Sequence, residues 1–179
     1  MDIHKLKLTS LQAEIFSLLC LKAGEKLSQR EIAIMLKVSP TAVANAIKKL
    51  KESDLIKLEK TKTINFISFN RDMPQAIELK RVENLKNIYT SGLSDYLYVE
   101  LAGATIILFG SYANGEDTKT SDIDIAAIGR KDKMLSLEEY EKILNREINV
   151  NFYNSWKDIH KHLKNNILNG IVLHGSVEL

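Results

Sequence analysis

Two short stretches of this chain carry the residue types and spacing that could do chemistry. The first is Gly110-Ser111, which directly follows a continuous apolar run from Ala104 to Phe109. The second is Asp122-Ile123-Asp124, which opens another apolar run. A glycine–serine turn after a buried strand lets a phosphate group approach the backbone closely and offers it free N–H groups and a hydroxyl. Both stretches therefore point to phosphate and metal chemistry.

The spacing of the two aspartates favours a divalent cation. In a strand, Asp122 and Asp124 share one face, while Ile123 and Ile125 point to the other. Two carboxylates roughly 7 Å apart along the chain repel each other when ionised, and such a pair commonly has a cation beside it. Mg²⁺ takes one or two carboxylates together with phosphate oxygens and water. A solvated turn or edge strand is the alternative for each motif alone, but the two together predict a site for a magnesium–nucleotide complex.

The combined motif resembles a known signature. Gly110-Ser111, a glycine four residues later and then Ser121-Asp-Ile-Asp-Ile resemble the nucleotidyltransferase superfamily that includes DNA polymerase beta. More narrowly, they resemble its minimal nucleotidyltransferases of archaea and bacteria, over about the second half of the chain. The resemblance implies that Gly110, Ser111 and Ser121 contact an NTP and that Asp122 and Asp124 bind Mg²⁺. Asn114 departs from it, because minimal members often carry arginine there.

The resemblance also implies an activity, the transfer of an NMP group from NTP to an acceptor hydroxyl with release of pyrophosphate. Relatives of this type are often antitoxins that nucleotidylate a partner toxin. The small size of the chain leaves little room for an acceptor pocket of its own. We therefore expect the acceptor to lie on a partner protein.

The predicted strand from Arg146 to Tyr153 departs from the family pattern at an important position. Active members carry a third carboxylate on this strand, which helps bind metal and deprotonates the attacking hydroxyl, and Asn149 occupies its place. An amide cannot act as a general base and is a weaker metal ligand. Glu147 lies on the same face, and we predict it as a catalytic substitute beside the two aspartates. The alternative is a DNA-binding regulator or antitoxin whose degenerate domain only binds nucleotide or a partner protein.

The elements around these motifs predict an α/β (α+β) fold in two domains. Residues 72–179 read as a nucleotidyltransferase-like mixed sheet with flanking helices, led by two connector helices. The predicted strands are 104–109, 122–128, 146–153 and 171–175, and the predicted helices are 75–89, 93–101, Trp156–Leu163 and one from Ser136 with Leu137, Tyr140, Ile143 and Leu144 inward. The connector helices form either a rigid spacer or a homodimer surface, and the sequence leaves this open.

Residues 1–71 predict a winged helix-turn-helix domain. Ser28 and Glu31 have capping-box spacing at the start of a short second helix, and Ser39-Pro40 caps a third helix. Two apolar segments, 55–58 and 64–69, follow as a hairpin whose place in the chain resembles a wing. This resemblance rests on the order of the elements.

The charge distribution suggests that this first domain contacts DNA. Residues 1–71 hold 13 Lys/Arg and 7 Asp/Glu, a net charge of +6, whereas residues 72–179 hold 12 and 16, a net charge of −4. A third helix in the major groove and a wing near phosphates predict DNA contacts at Thr41, Asn45, Lys48, Lys49, Lys60 and Lys62. Simple solvation of the lysines, dimerisation and protein docking are the alternatives.

Composition indicates the cellular compartment in which the protein is expected. The chain has 179 residues and no apolar run near the roughly 20 residues that span a bilayer, and its first residues lack a signal-peptide pattern. Its single cysteine, Cys20, excludes an intrachain disulfide and lies in an apolar helix as a predicted buried hydrophobe. We expect a cytoplasmic protein without a membrane partner.

Overall fold

The structure is a computed structural model that describes residues 6–61 and 64–178. The chain packs as two compact units, one up to Lys80 and one from Arg81 onward, so the division falls inside the helix Pro74–Thr90. The predicted domain boundary between residues 71 and 72 stays a prediction. Within the described ranges, no helix is both long and apolar enough to cross a membrane. Lys62 lies outside these ranges.

The first unit has the element order of a winged helix-turn-helix domain, as predicted. Its elements are α1 (Ser10–Leu21), β1 (Leu27–Ser28), α2 (Gln29–Leu36), α3 (Pro40–Glu52), β2 (Ile56–Lys60) and β3 (Asn65–Phe69). The strands form an antiparallel sheet in the order β1-β3-β2. The hairpin β2–β3 is the predicted wing, and the two-residue strand β1 extends it on the other side.

Capping residues set the helix starts of this unit. The Ser28 hydroxyl accepts a hydrogen bond from the Glu31 backbone N–H at 3.2 Å, and the Glu31 carboxylate accepts one from the Ser28 N–H at 2.7 Å. This reciprocal pair is a capping box, and it lowers the pKa of Glu31 through those hydrogen bonds. Ser39 caps α3 with Pro40 at its first position. Cys20 is buried, as predicted.

The second unit is built on a four-stranded mixed sheet with flanking helices. It contains the part of α4 (Pro74–Thr90) from Arg81 onward. The elements that follow in chain order are α5 (Leu93–Glu100), β4 (Thr105–Phe109), α6 (Gly110–Asn114), β5 (Ile123–Ile128), α7 (Glu138–Leu144), β6 (Ile148–Tyr153), a 3₁₀ turn (Trp156–Asp158), α8 (Lys161–Leu168) and β7 (Ile171–His174). The strand order is β6-β5-β4-β7. Strands β5 and β6 are parallel, and β4 is antiparallel to both β5 and β7.

Both faces of this sheet are covered by apolar side chains. Ile123 and Ile125 lie in one core cluster with Leu97 of α5, whereas Ala126 and Ile128 lie in a second cluster with residues that follow β6 and form α8. Because side chains alternate along a strand, Asp124 lies on the face of the second cluster. The apolar alternation after Asp122 therefore fixes which way Asp124 points.

Two local predictions in this unit are wrong. The segment predicted as one helix, Trp156–Leu163, is a 3₁₀ turn followed by α8, because Ile159 between them has an extended backbone (φ −96°, ψ 124°). Ile143 was predicted to point inward but is 58% exposed. The short α7 buries Leu144 and packs Tyr140 one turn earlier, both as predicted, and the stripe through these two residues leaves Ile143 outside it.

Candidate functional site

The candidate site lies where β4 ends and β5 begins. Strand β4 passes directly into α6 at Gly110, and the register of the two antiparallel strands pairs Phe109 with Asp124. The residue before the glycine and the second aspartate are therefore direct neighbours across the sheet. The structure thus brings the Gly110-Ser111 turn and Asp124 together, although 13 residues lie between Gly110 and Asp124 along the chain.

Gly110 makes a close approach that no other residue type could make unchanged. Its φ is +74°, in the left-handed region, and a Cβ added to it would lie 2.7 Å from Oδ2 of Asp124. Real Cβ atoms essentially never come that close to another heavy atom. The glycine therefore lets the backbone of the turn and the Asp124 carboxylate share one small space.

Replacing Gly110 with alanine should therefore harm both the fold and the site. We expect the left-handed backbone alone to cost about 1–2 kcal/mol of unfolding free energy, and we expect the added methyl group to displace the Asp124 carboxylate. Denaturant unfolding of the variant measures the first effect. The control is Gly103→Ala, because Gly103 also has a positive φ of +87° but its added Cβ would meet nothing within 4 Å. Equal losses in the two variants would show that the contact with Asp124 has no cost of its own.

Asp122 lies one residue before β5, beside the strand β6. The Asn149 side-chain amide donates a hydrogen bond to Oδ2 of Asp122 at 3.2 Å. The parallel register pairs Asn149 with Asp124. Asn149 therefore neighbours both aspartates, at the place where the family pattern predicts a third carboxylate.

The two aspartates form an electrostatically frustrated pair. Burial raises the pKa of Asp124 above its ordinary value, and the charge of Asp122 raises it further. A proton or a cation relieves this repulsion. Two hard carboxylates next to a backbone that a phosphate can approach are a donor set that Mg²⁺ accepts together with phosphate oxygens and water, so the residues fit the ion.

Glu147 and Ser121 lie at the edge of this site. The Glu147 carbonyl accepts a hydrogen bond from the Ile123 N–H at 2.9 Å, and its exposed side chain lines a groove of about 700 Å³ together with Ser121 and Asp122. In residues 6–61 and 64–178, no three His, Cys, Asp or Glu side chains form a group that could hold a metal. The Ser121 hydroxyl accepts a hydrogen bond from the Thr118 N–H at 2.9 Å, within the loop before Asp122.

Sequence reasoning missed a buried network of three polar side chains behind the site. Asn84, Asp117 and Arg146 are 4%, 1% and 6% exposed. Asp117 and Arg146 form an ion pair at 3.5 Å, and the Asn84 amide donates to Asp117 at 2.7 Å. Only Asn84 carries a sequence signal, as a polar residue four positions before the buried Ile88 on a helix.

The predicted DNA contacts occupy the exposed side of the first unit. Thr41, Asn45, Lys48 and Lys49 are exposed on α3, and Lys60 is exposed at the end of β2. Lys57 on the same strand is paired with Asp72, and this lysine lowers the pKa of Asp72. The third helix therefore presents a polar, basic surface to solvent.

Comparison with known proteins assigns both units. Residues 93–178 match the family described as polymerase beta, nucleotidyltransferase, and residues 18–57 match the winged helix-turn-helix DNA-binding family. A curated protein of Methanocaldococcus jannaschii named "Putative protein adenylyltransferase" is 44% identical over 70 residues, which are 36% of this chain and 72% of that protein.

Solved structures that resemble the chain come from bacterial regulators. A point mutant of Lactococcus lactis ZitR is 28% identical over 56% of this chain and 66% of its own, with a TM-score of 0.41. The adhesin competence repressor AdcR of Streptococcus pyogenes is 22% identical over 57% of this chain and 72% of its own, with a TM-score of 0.42. The chain thus spans 66% of the length of the ZitR structure that it matches.

Proposed function

The chain belongs to the polymerase beta nucleotidyltransferase family, and from this membership we propose that it is a Mg²⁺-dependent enzyme that transfers an NMP group from NTP to an acceptor hydroxyl. The observation that carries the proposal is the closure of the Gly110 turn on Asp124, where an added Cβ would lie 2.7 Å from the carboxylate oxygen. The turn is suited to bind phosphate and the carboxylate is suited to bind metal, and at this separation both can contact the same ligand. A metal-bound nucleotide triphosphate is a ligand with both properties.

Each residue has a role in the proposed reaction. Gly110 and Ser111 bind the triphosphate through backbone N–H groups and the serine hydroxyl, and Asp122 and Asp124 hold Mg²⁺. The bound ion supplies neutralisation of the phosphate charge and alignment of the leaving pyrophosphate. Ser121 is proposed as a further nucleotide contact at the edge of the site.

Glu147 is the proposed base. Its carboxylate accepts the proton of the acceptor hydroxyl while the acceptor oxygen bonds to the α-phosphorus and pyrophosphate leaves. Its exposed side chain lines the same groove as Asp122, which supports this role. The groove is lined by polar and charged residues and is open to solvent, so it suits a hydroxyl presented by a partner protein.

Label transfer tests the proposed reaction. The purified chain is incubated with Mg²⁺, candidate partner proteins and each of the four NTPs labelled at the α-phosphate. Transfer to a partner that is lost in both Asp122→Ala and Asp124→Ala supports the enzyme. Transfer that survives in both variants contradicts the proposed site.

We propose in addition that the winged helix-turn-helix unit binds DNA through α3 and the wing. The exposed positions Thr41, Asn45, Lys48 and Lys49 on α3 support major-groove contact, and Lys60 supports phosphate contact. Lys62, although outside the described residues, belongs to the same proposal through the sequence. Asn45 and Thr41 are the side chains suited to reading base edges.

Replacing both Lys48 and Lys49 with alanine should weaken binding to any duplex. We expect the slope of log affinity against log salt to fall by about 2, because each phosphate contact contributes roughly 0.9. A salt titration of binding to a mixed-sequence duplex, followed by fluorescence anisotropy, measures this slope. The charge-matched control is Lys157→Ala/Lys161→Ala, at exposed lysines of the second unit. Equal slopes in the wild type and the α3 variant would favour a dimerisation or docking role for this unit.

Asn149 supports a second candidate function, a DNA-binding regulator or antitoxin whose second unit binds nucleotide without transferring it. An amide at the base position that already hydrogen-bonds Asp122 lowers the expected rate of transfer. Mg²⁺-dependent nucleotide binding without label transfer to any partner distinguishes this candidate from the enzyme.

A further inference from the structure

The loop between α6 and β5 connects the Gly110-Ser111 turn to Asp122 and so sets the distance between the proposed triphosphate contacts and the proposed metal ligand. Ser111 lies in α6, before this loop, and Asp122 lies at the end of the loop, so a shift of the loop moves the proposed metal ligand relative to the proposed triphosphate contact. Asp117 lies in the middle of the loop and is almost fully buried. A buried charge inside a loop needs a partner, because burying an unpaired carboxylate is very costly.

One end of the buried network holds α6. The Asn84 amide donates to the backbone carbonyl of Tyr112 at 2.8 Å and to Oδ1 of Asp117 at 2.7 Å. A single side-chain nitrogen therefore ties the helix that contains Ser111 to the middle of the loop. Burial and the charge of Asp117 both raise the pKa of the Tyr112 hydroxyl.

The other end of the network holds the start of β6. The Arg146 guanidinium pairs with Oδ2 of Asp117 at 3.5 Å and donates to the carbonyl oxygens of Lys119 at 2.8 Å and Asn145 at 3.1 Å. Lys119 lies three residues before Asp122, and Arg146 lies three residues before Asn149. One guanidinium thus connects the segment before Asp122 to the segment before Asn149, and the side chains of these two residues are hydrogen-bonded to each other in the site.

A contribution to stability alone does not account for this arrangement. The cost of desolvating a buried ion pair often cancels its attraction, so apolar residues of the same volume frequently give equal stability. A network that joins three separate segments can instead specify where each segment lies. The three segments here are those that carry Ser111, Asp122 and Asn149.

We propose that Asn84, Asp117 and Arg146 are positioning residues, which hold the Gly110-Ser111 turn and Asp122 at the separation that a metal–nucleotide complex requires. This inference rests on the proposed function for its ligand. In this proposal the network acts through the backbone, because Asn84 and Arg146 donate to the carbonyl oxygens of Tyr112, Lys119 and Asn145. Partners of metal ligands that act in this indirect way typically change affinity by roughly 10-fold to 100-fold.

The test uses Asp117→Asn, Arg146→Met and the double variant in the full chain. Binding of a fluorescent ATP analogue in the presence of Mg²⁺ gives the affinity, and thermal unfolding gives the stability. Each single variant removes one charge of the buried pair Asp117–Arg146 and so weakens the pairing of the other, and both should therefore lose stability. The double variant removes both charges and should regain much of that stability. It should still bind nucleotide about tenfold or more weakly, because the hydrogen bonds to Lys119 and Asn145 are missing.

The matched control removes a different buried polar contact from the same unit. Ser94 is 1% exposed, and its hydroxyl lies 2.8 Å from Nε2 of His174, at the opposite end of β4 from Gly110. Ser94→Ala should lower stability without a tenfold loss of nucleotide affinity. Hydrogen exchange adds a readout that needs no nucleotide: the amides of Ser121 and Ile123, which are bonded to Thr118 and Glu147, should exchange faster in the double variant.

The outcomes separate the two proposals. A double variant that regains stability, binds nucleotide weakly and exchanges these two amides faster supports the positioning role. A double variant that regains both stability and affinity, or that exchanges both amides at the wild-type rate, overturns it. If the wild type fails to bind nucleotide with Mg²⁺, the proposed function fails, and the exchange rates still decide whether the network holds the loop.

Discussion

Replacing Asp124 with asparagine is expected to abolish Mg²⁺-dependent nucleotide binding while leaving the metal-free protein as stable as the wild type or more so. The amide is close in shape to the carboxylate but is a much weaker ligand for a hard cation. It also removes a charge that burial and Asp122 both disfavour. We expect the melting temperature without metal to stay equal or to rise by up to about 5 °C. Calorimetric titration with ATP and Mg²⁺, together with thermal unfolding, measures the two effects.

The opposite directions of the two effects make this variant informative. A residue that serves only the fold would lower stability and binding together when replaced. The charge-matched control is Asp132→Asn, because Asp132 is exposed in the loop before α7, and neither quantity should change. If Asp124→Asn lowered stability strongly and still bound nucleotide as the wild type does, the two-aspartate metal site would be wrong.

The pH dependence of stability follows from the same raised pKa. Asp124 in the folded protein binds its proton more tightly than in the unfolded chain, whose value lies near 3.8. The wild type should therefore lose unfolding free energy as the pH rises from about 3.8 through the raised pKa of Asp124. Asp124→Asn should lack this loss. Urea unfolding of both proteins across that range, without metal, measures the difference between their unfolding free energies, which should grow with pH. A difference that stays constant would contradict burial and the Asp122 charge as causes of a raised Asp124 pKa.

Patterns with a period of two predicted strands of the second unit and also the face of the sheet to which their side chains point. The apolar alternation after Asp122 fixed the face of Asp124, and the apolar run before Gly110 fixed where β4 ends. Neither pattern specifies which strands are neighbours, so the pairing of Phe109 with Asp124 was not predicted. The close approach of Gly110 to that carboxylate is a tertiary contact that only the folded chain contains.

The buried network of Asn84, Asp117 and Arg146 could not be predicted from sequence periodicity, for a physical reason. Asp117 and Arg146 are charged residues in a loop and at a strand edge, where solvated side chains are by far the commonest case. Their burial arises because three segments distant in sequence meet behind the site. Ile143 shows the converse case, since an apolar residue on a short amphipathic helix was predicted as core and is exposed. Single apolar residues at surfaces are common, and periodicity over two turns cannot identify them.

Asn149 is the position where one substitution should increase the proposed activity. Its amide donates to Asp122, and its strand register pairs it with Asp124. Asn149→Asp would place a third carboxylate beside the two existing ones, where the family pattern has it. The added acid can bind metal and accept the proton of the attacking hydroxyl. General-base catalysis typically contributes 100-fold or more, so we expect label transfer to rise by roughly 10-fold to 1000-fold.

The same substitution should make the metal-free protein less stable. It replaces the hydrogen bond between Asn149 and Asp122 with repulsion among three carboxylates, so the melting temperature without metal should fall. Added Mg²⁺ should raise the melting temperature of the variant more than that of the wild type, because the ion relieves more repulsion. Thermal unfolding with and without Mg²⁺ measures this difference alongside the transfer assay.

Asn151→Asp is the matched control, because Asn151 is exposed on the same face of β6 but pairs with Ala126 instead of an aspartate. It adds the same charge one pleat repeat away from the site. If Asn149→Asp transfers label and the wild type does not, the natural chain is a nucleotide-binding regulator whose catalytic base has been lost. If both transfer label and the variant is faster, Glu147 is a partial substitute. Equal rates in the wild type, Asn149→Asp and Asn151→Asp would mean that position 149 does not face the reacting hydroxyl, and the alignment of β6 with the family pattern would be wrong.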